Sequence, residues 1–529
     1  MNWERLYVWL DNPILVKHMR SRLRKQPLAA ALVVVFVFCI CIAWAGIQLQ
    51  SLASGGTFGL LLGLQSVILI VMGATQVGSA VGAARASGIL DFHRVSPLTP
   101  TELTLGFFFG APIREYVLFA CTLPFSLCCL AFGTPSVHGF VQLMVLLVAC
   151  AWLFHGLALL NALLAKARAN PRGVVGLIIF VVFFGGNLIF GLRRSAALVD
   201  MDLRLTFFGI SLPWLAVVLL HLAVVLYFIY LAARRKMGSE RIHPLSKPQG
   251  IAALASLAVL LVGTIWRREE FVTLEIATIY LLVITAILLI TMVTPNLPEY
   301  DKGLWRARRI GLAHLPWWDD LSLNRVFLVI ACAIVLATAT VASGGGADST
   351  GFGPASRGDL GSFPLAIAAG VLVVAYFGLA HQYFALRFGA RARIYFSLFL
   401  FLAWVVPLLA GSILLIASMP IDADRESQVV FSLSPVAGIG LTAIPQDAQG
   451  YQTAIQAAVI TPALLFVFVF NTLLVSARRQ VYKGFTKEAA SENLILPPAP
   501  TEGQDGKVAI EPGTSPGLQA VPGMTGGLD

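Results

Sequence analysis

Charge is what this sequence has least of. Of its 529 residues only 12% are Asp, Glu, Lys or Arg, whereas 58% are hydrophobic. An ordinary soluble domain carries about 25% charged and roughly 45–50% apolar residues. So little charge cannot cover the surface of a water-soluble fold of this length, which excludes a soluble enzyme. Cysteine is also sparse and unpatterned. Cys39, Cys41, Cys121, Cys128, Cys129, Cys150 and Cys332 all fall in apolar runs, without the spacing of thiols and imidazoles that a zinc site needs. They read as small buried hydrophobes, and no metal or other cofactor is expected. There is no HExxH, and no GxxxxGK[ST] phosphate loop. Gly506-Lys507 lacks both the upstream glycine and the following hydroxyl residue. The chain is therefore not expected to hydrolyse ATP, or to be an enzyme in its own right.

Ionisable groups inside the apolar runs are few. Arg114 and Glu115 stand near the start of the third run, and Glu275 near the start of the eighth. An ion-coupled carrier needs such groups near the bilayer midplane, so this scarcity argues against one. His155 and His221 lie within runs. Polar groups there are costly, and a helix–helix hydrogen bond is a plainer role for each than ligand binding.

What is present is apolar length. Lipid holds no water to satisfy amides and carbonyls, so a spanning segment is a helix or a barrel strand. Barrel strands alternate apolar and polar residues over about 10 positions. The runs here are solidly apolar for about 20, the length a helix needs to cross the hydrocarbon. Twelve spans are expected, at 28–49, 58–83, 113–132, 140–164, 173–190, 212–232, 250–266, 272–292, 326–341, 363–386, 394–418 and 454–475. The fold class is an all-α polytopic transmembrane helical bundle. No cleavable signal peptide is evident, because the first run begins near Leu28, after a charged stretch, and is long enough to span.

Lys and Arg set the orientation, since they are retained on the cytoplasmic side. With the N-terminus inside, 29 of them fall in inner segments and 7 in outer loops, with Arg114 at a membrane edge. Both termini are then cytoplasmic. The net charge of +10 follows from basic loops facing an anionic leaflet and requires no nucleic acid. Four regions follow: an interface helix in 1–27, a first six-span half in 28–236, a second in 237–490, and a Pro- and Gly-rich tail in 491–529, which reads as disordered.

Two segments are more than membrane filler. Near the N-terminus, Leu15, Met19 and Leu23 recur every four residues and share a helical face, with Lys17, Arg20 and Arg24 elsewhere. Such a helix should lie flat on the inner leaflet. After the second span, within 84–106, Gly88 permits a break, and Pro97 and Pro100 forbid one continuous helix. Thr99 and Glu102 have capping-box spacing, with Pro100 at the first helical position. A short new helix should start at Thr99 and run toward the third span.

These segments resemble those of a known family. Asn12-Pro13 followed by Lys17, Arg20 and Arg24 is similar to the N-terminal interface helix of type 2 ABC transporter permeases. Ser87, Gly88, Asp91, Pro97, Leu98, Thr99, Glu102 and Gly106 stand at the spacing of that family's ATPase-coupling segment. The family usually carries acidic residues where this chain has Ala84 and Ala86, and a basic one where it has Phe107. The resemblance implies a multi-pass permease subunit of the plasma (cell inner) membrane. It would export a substrate using separate cytoplasmic ABC ATPase subunits as partners, with membrane lipids around it. A second permease copy is left open as a further partner. A membrane scaffold without a transport path is the alternative, followed by a secondary transporter.

Two further features bear on architecture. In the second half, Gly303, Pro316, Asp319 and Leu321 weakly echo Gly88, Pro97, Glu102 and Leu103, as a degenerate duplicate would; the other reading is a family half with an unrelated six-span extension. The apolar stretch within 420–450 resembles the short re-entrant helices that the family places before its last span. A loosely packed outer loop is the other reading.

Overall fold

The computed structural model describes residues 12–48, 56–131, 136–165, 204–240, 242–265, 272–312, 315–344, 363–417, 423–443 and 449–491. The expected fifth span at 173–190, and the tail beyond Ser491, lie outside the described residues.

The protein is all-α and polytopic. Among the described residues nine helices are long and apolar enough to cross a membrane. In chain order the first elements are α1 (Pro13–Arg22), α2 (Lys25–Gln48), α3 (Gly56–Ala86), α4 (Ile89–Val95), α5 (Pro100–Gly110), α6 (Ile113–Ala131) and α7 (Val137–Leu164). A hairpin of β1 (Arg204–Phe207) and β2 (Ile210–Pro213) leads into α8 (Trp214–Gly238). Then come α9 (Lys247–Ile265), α10 (Val272–Val293), α11 (Leu297–Arg309), α12 (Arg325–Gly344) and α13 (Phe363–Phe388). The last are α14 (392–417), α15 (Ala423–Ser432), α16 (Pro435–Ala443) and α17 (Gln449–Ser491).

Apolar side chains close on two cores. One draws on residues from Ile14 to Leu163 together with Ala233 and Met237. The other draws on residues from Leu245 to Leu474 together with Leu160, Ile229 and Ala232. The seam therefore runs along α8, whose neighbouring Ala232 and Ala233 face different cores. Small residues let helices approach closely. A side chain at Gly156 would meet Ile229 at 3.0 Å, and one at Gly378 would meet Leu328 at 2.6 Å.

Residues 364–414 form one apolar helical run of 51 residues. Straight, it would reach about 75 Å, more than twice the hydrocarbon thickness. It is broken at Gly389, whose φ of 49° ends α13 before the 3-10 turn Gly389–Arg391 and α14.

Inside α3 the stretch Val67–Met72 is π-helical, for a visible reason. The Gly73 amide donates to Ile68 and Ile70 rather than to Leu69. The Leu69 carbonyl is thereby left to pair with His155 Nε2 at 2.9 Å. His155 is fully buried, and its Nδ1 lies 3.2 Å from the Tyr116 hydroxyl. His221 pairs with Val217 O on its own helix (2.8 Å) and with Thr264 Oγ1 on α9 (3.4 Å). Both histidines thus serve helix–helix hydrogen bonding.

Several expectations need correction. The sixth span was expected from Leu212, but Leu212 and Pro213 belong to β2. Phe208 and Gly209 take positive φ of 48° and 81°, the geometry of a tight hairpin turn, and Phe208 N donates to Gly263 O at 3.0 Å. Not every cysteine is buried: Cys41 and Cys128 are exposed on helix faces. The residues paired in the proposed echo also play different local roles. Gly88 has a left-handed φ of 73°, whereas Gly303 lies inside α11, buried against Leu315 and Leu321. Asp319 caps nothing, since its Oδ1 accepts from Leu321 N at 2.9 Å within an irregular turn. The capped helix of the second half is α11, where Pro298 stands in the first turn and Glu299 returns a bond to the Asn296 amide at 2.8 Å.

The stretch before the last long helix is a packed helical pair. Ser434, at the turn between α15 and α16, donates to Trp404 O at 2.6 Å. Tyr280 of α10 donates to Val436 O at 2.8 Å and accepts from Gly440 N at 2.9 Å.

Candidate functional site

One end of the bundle gathers α1, α4, α5 and α11 with the C-termini of α3, α7 and α8. The two segments singled out in the sequence meet there. Asn12 caps α1 by accepting from Ile14 N (3.0 Å) and Leu15 N (3.4 Å). Its amide also donates to Glu102 O of α5 at 2.7 Å across 90 residues of chain. One 6%-exposed side chain thus starts one helix and fixes it to another. Gly106 makes the approach possible, since a side chain there would meet Ile14 Cβ at 2.6 Å. At Gly110 it would meet His18 Cβ at 3.1 Å. His18 stands edge-on to Phe107, with centroids 5.3 Å apart. Burial, with Arg22 and Lys17 nearby, pulls the His18 pKa down to about 4.

The helix after Pro13 differs from expectation. It ends at Arg22, so Leu23 and Arg24 lie in the break before α2. Its packed side is Asn12, Ile14, Leu15 and His18, set against α5, and Met19 is exposed. The two glycines let the α1 and α5 backbones touch, so Ile14 and His18 rather than Met19 face α5. Lys17, Arg20 and Arg24 are exposed.

The second segment begins where Ser87 closes α3 by donating to Ala83 O at 2.8 Å. Gly88 then reverses the chain. A helix absent from the sequence reading, α4, follows. Arg94 on α4 donates to Lys236 O (2.9 Å) and Met237 O (3.0 Å) at the end of α8, and holds Asp91 at 2.6 Å. Arg85 likewise donates to Ala162 O (2.8 Å) and Ala165 O at the end of α7 and pairs with Glu240. Guanidinium groups at helix C-termini satisfy orphan carbonyls and the negative dipole end. Part of the basic charge at this end is therefore satisfied inside the protein.

Pro97 is exposed and Leu98 half-buried at the bend before α5. The capping box is formed in full. Glu102 N donates to Thr99 Oγ1 at 3.2 Å, and Thr99 N donates to Glu102 Oε2 at 2.7 Å, with Pro100 at the first position. Phe107 is 3% exposed, so that position cannot present a charge to a partner here. Instead α4 raises Phe92 (68% exposed) and Val95 (84% exposed) from the surface.

The second half adds a clamp. Lys247 is wholly buried at the start of α9 and donates to Asp319 O (2.7 Å) and Ser322 O (2.6 Å). Arg235 pairs with Asp320 at 2.7 Å, tying α8 to the same turn. His243 lies 3.6 Å from Glu299, and burial pulls its pKa down despite that carboxylate and Asp320. Within the bundle, Glu115 is fully buried, bound by Arg114 at 2.8 Å, with Oε2 unpaired. Among the described residues no cluster of His, Cys, Asp or Glu could hold a metal.

The sequence signals for Arg85, Arg94 and Glu240 were weak, because single charges near span ends are common. The Asn296–Glu299 box, with Pro298 between, has a spacing that is legible in the sequence. The chain matches no known protein family, no curated protein and no solved structure.

Proposed function

We propose that the chain is the membrane-spanning permease subunit of an ATP-driven exporter, worked by separate cytoplasmic ATP-binding subunits. In this reading it has twelve spans, both termini are cytoplasmic, and it resides in the plasma (cell inner) membrane. One observation carries the proposal. The two segments resembling type 2 ABC permeases lock together as a rigid platform at the basic end, through Asn12 and Glu102. Force from a soluble partner needs such a platform, because a loop would absorb it. The capped α5, pinned to α1 and joined by a short turn to α6, is suited to pass a push into the bundle. Phe92 and Val95 offer the apolar contact, in place of the charges that related permeases carry.

The test is co-expression with the candidate ATP-binding subunit, followed by affinity purification. Phe92→Asp with Val95→Asp should insert normally and lose at least ten-fold in recovered ATP-binding subunit. Undiminished recovery would remove the coupling role and leave a scaffold as the better reading.

A further inference from the structure

A second feature shares α5 with the coupling platform but lies against α7 and α8. An apolar crevice of about 330 Å³ opens between α5, α7 and α8, near the lower bound of about 300 Å³ for ligand pockets. Among its walls are Phe109, Trp152, Gly156, Ala223, Tyr227 and Tyr230. It opens sideways: Trp152 is 37% and Tyr227 55% exposed. Gly156 forms part of the wall where α7 packs against Leu226 and Ile229 of α8. A helix about 10 Å across cannot enter so small a slot, so the shape suits a thin, chain-like group.

Polar groups stand beside the slot near Tyr230. Tyr230 donates to Thr101 Oγ1 at 3.4 Å. One turn beyond Tyr230 on the same face of α8 stands Arg234, exposed and without an ion pair or hydrogen bond to any described residue. Its neighbours differ: Arg235 holds Asp320, and Lys236 donates to Glu240 O. The Glu102 carboxylate at this end is engaged by Thr99. Tyrosine and tryptophan favour the headgroup level of a bilayer, and a guanidinium with no partner among the described residues attracts an anionic headgroup there.

We infer that this crevice is a binding site for one anionic phospholipid, its acyl chain between α5, α7 and α8 and its phosphate at Arg234. Chain insertion by itself gains little, because lipid is as apolar as the crevice. Headgroup charge must therefore decide residence. The leaflet is the inner one if the orientation proposed above holds, but binding itself is independent of orientation and of any ATPase.

The experiment uses the purified full-length protein and native mass spectrometry, with added phosphatidylglycerol or phosphatidylcholine of identical chains. The parent should retain one phosphatidylglycerol, with roughly five-fold preference over phosphatidylcholine, as expected for one basic residue at a headgroup. Arg234→Gln should abolish the preference, and Arg391→Gln, an exposed control in the second half, should keep it. Ala223→Trp fills the slot from an exposed position and should remove the retained lipid; Ala223→Phe serves if that variant does not fold. Equal retention of both lipids by the parent, or retention undiminished by filling the slot, would overturn the site and leave only a helix seam bathed in ordinary lipid.

Discussion

Two single residues show how close packing admits polar groups to an apolar bundle. Gly73 is where His155 enters, and a side chain on Gly73 would lie 2.2 Å from His155 Nε2. Gly73→Ala should therefore expel the imidazole from Leu69 O and lower stability by about 1–3 kcal/mol, the cost of a buried polar group left unpaired. Thermal unfolding in detergent measures this. Adding His155→Ala to Gly73→Ala should cost little more, since the two changes break one interaction; full additivity would contradict the account. His18 makes a pH-dependent contact. Its folded pKa of about 4 lies below the ordinary value of 6.5, so between these values the unfolded segment binds more protons than the folded one. The contact is complete above about pH 6.5 and is lost as pH falls toward 4. Hydrogen exchange across 13–22 should accelerate over that window relative to His18→Phe. A parallel response in both proteins would remove His18 from the explanation.

At the scale of elements, the short helices matter more than the long ones. The helix α5 is held by Thr99 and Glu102 at its start and by α1 along its length. Losing such a cap costs about 0.5–2 kcal/mol, enough to fray a short helix but not to unfold a bundle of this size. Thr99→Ala with Glu102→Ala should leave membrane abundance near normal while lowering both recovery and activity of a co-expressed ATP-binding subunit. Parent-like values would make α5 an ordinary connection between helices. A comparable device stands in the second half, where the far end of α17 returns to α11. Phe485 packs on Trp305 with centroids 4.9 Å apart, and Arg308 lies 5.8 Å from the Phe485 ring. The amphipathic α11 is thus covered by a helix 43 residues long, about 65 Å, well beyond the hydrocarbon thickness.

For the whole molecule the decisive quantity is the 29-to-7 division of basic residues. In a chain whose seven native cysteines are replaced by alanine, a single cysteine at Ser343 should react with an impermeant thiol reagent from outside. One at Ser491 should react only after permeabilisation. The reverse pattern would invert the topology and move the proposed coupling platform to the wrong side of the membrane.

The sequence by itself determined that this is a bundle of apolar helices, because about 20 apolar residues in lipid have few alternatives to a helix. It also determined where α5 begins, since Thr99, Pro100 and Glu102 act within one turn. It did not determine α4, whose C-terminal arginine acts on carbonyls of α8 some 140 residues away. The π turn at Val67–Met72 likewise depends on His155, a distant side chain taking a carbonyl that a local pattern assigns to the helix. Asn12 shows both levels at once. Its capping role is local and readable, whereas its bond to Glu102 O exists because Gly106 lets two backbones come close. Capping, breaking and spanning are settled within a few neighbouring residues and can be read in order along the chain. Which helix presses on which is settled by contacts between residues far apart, and only the folded structure brings those together.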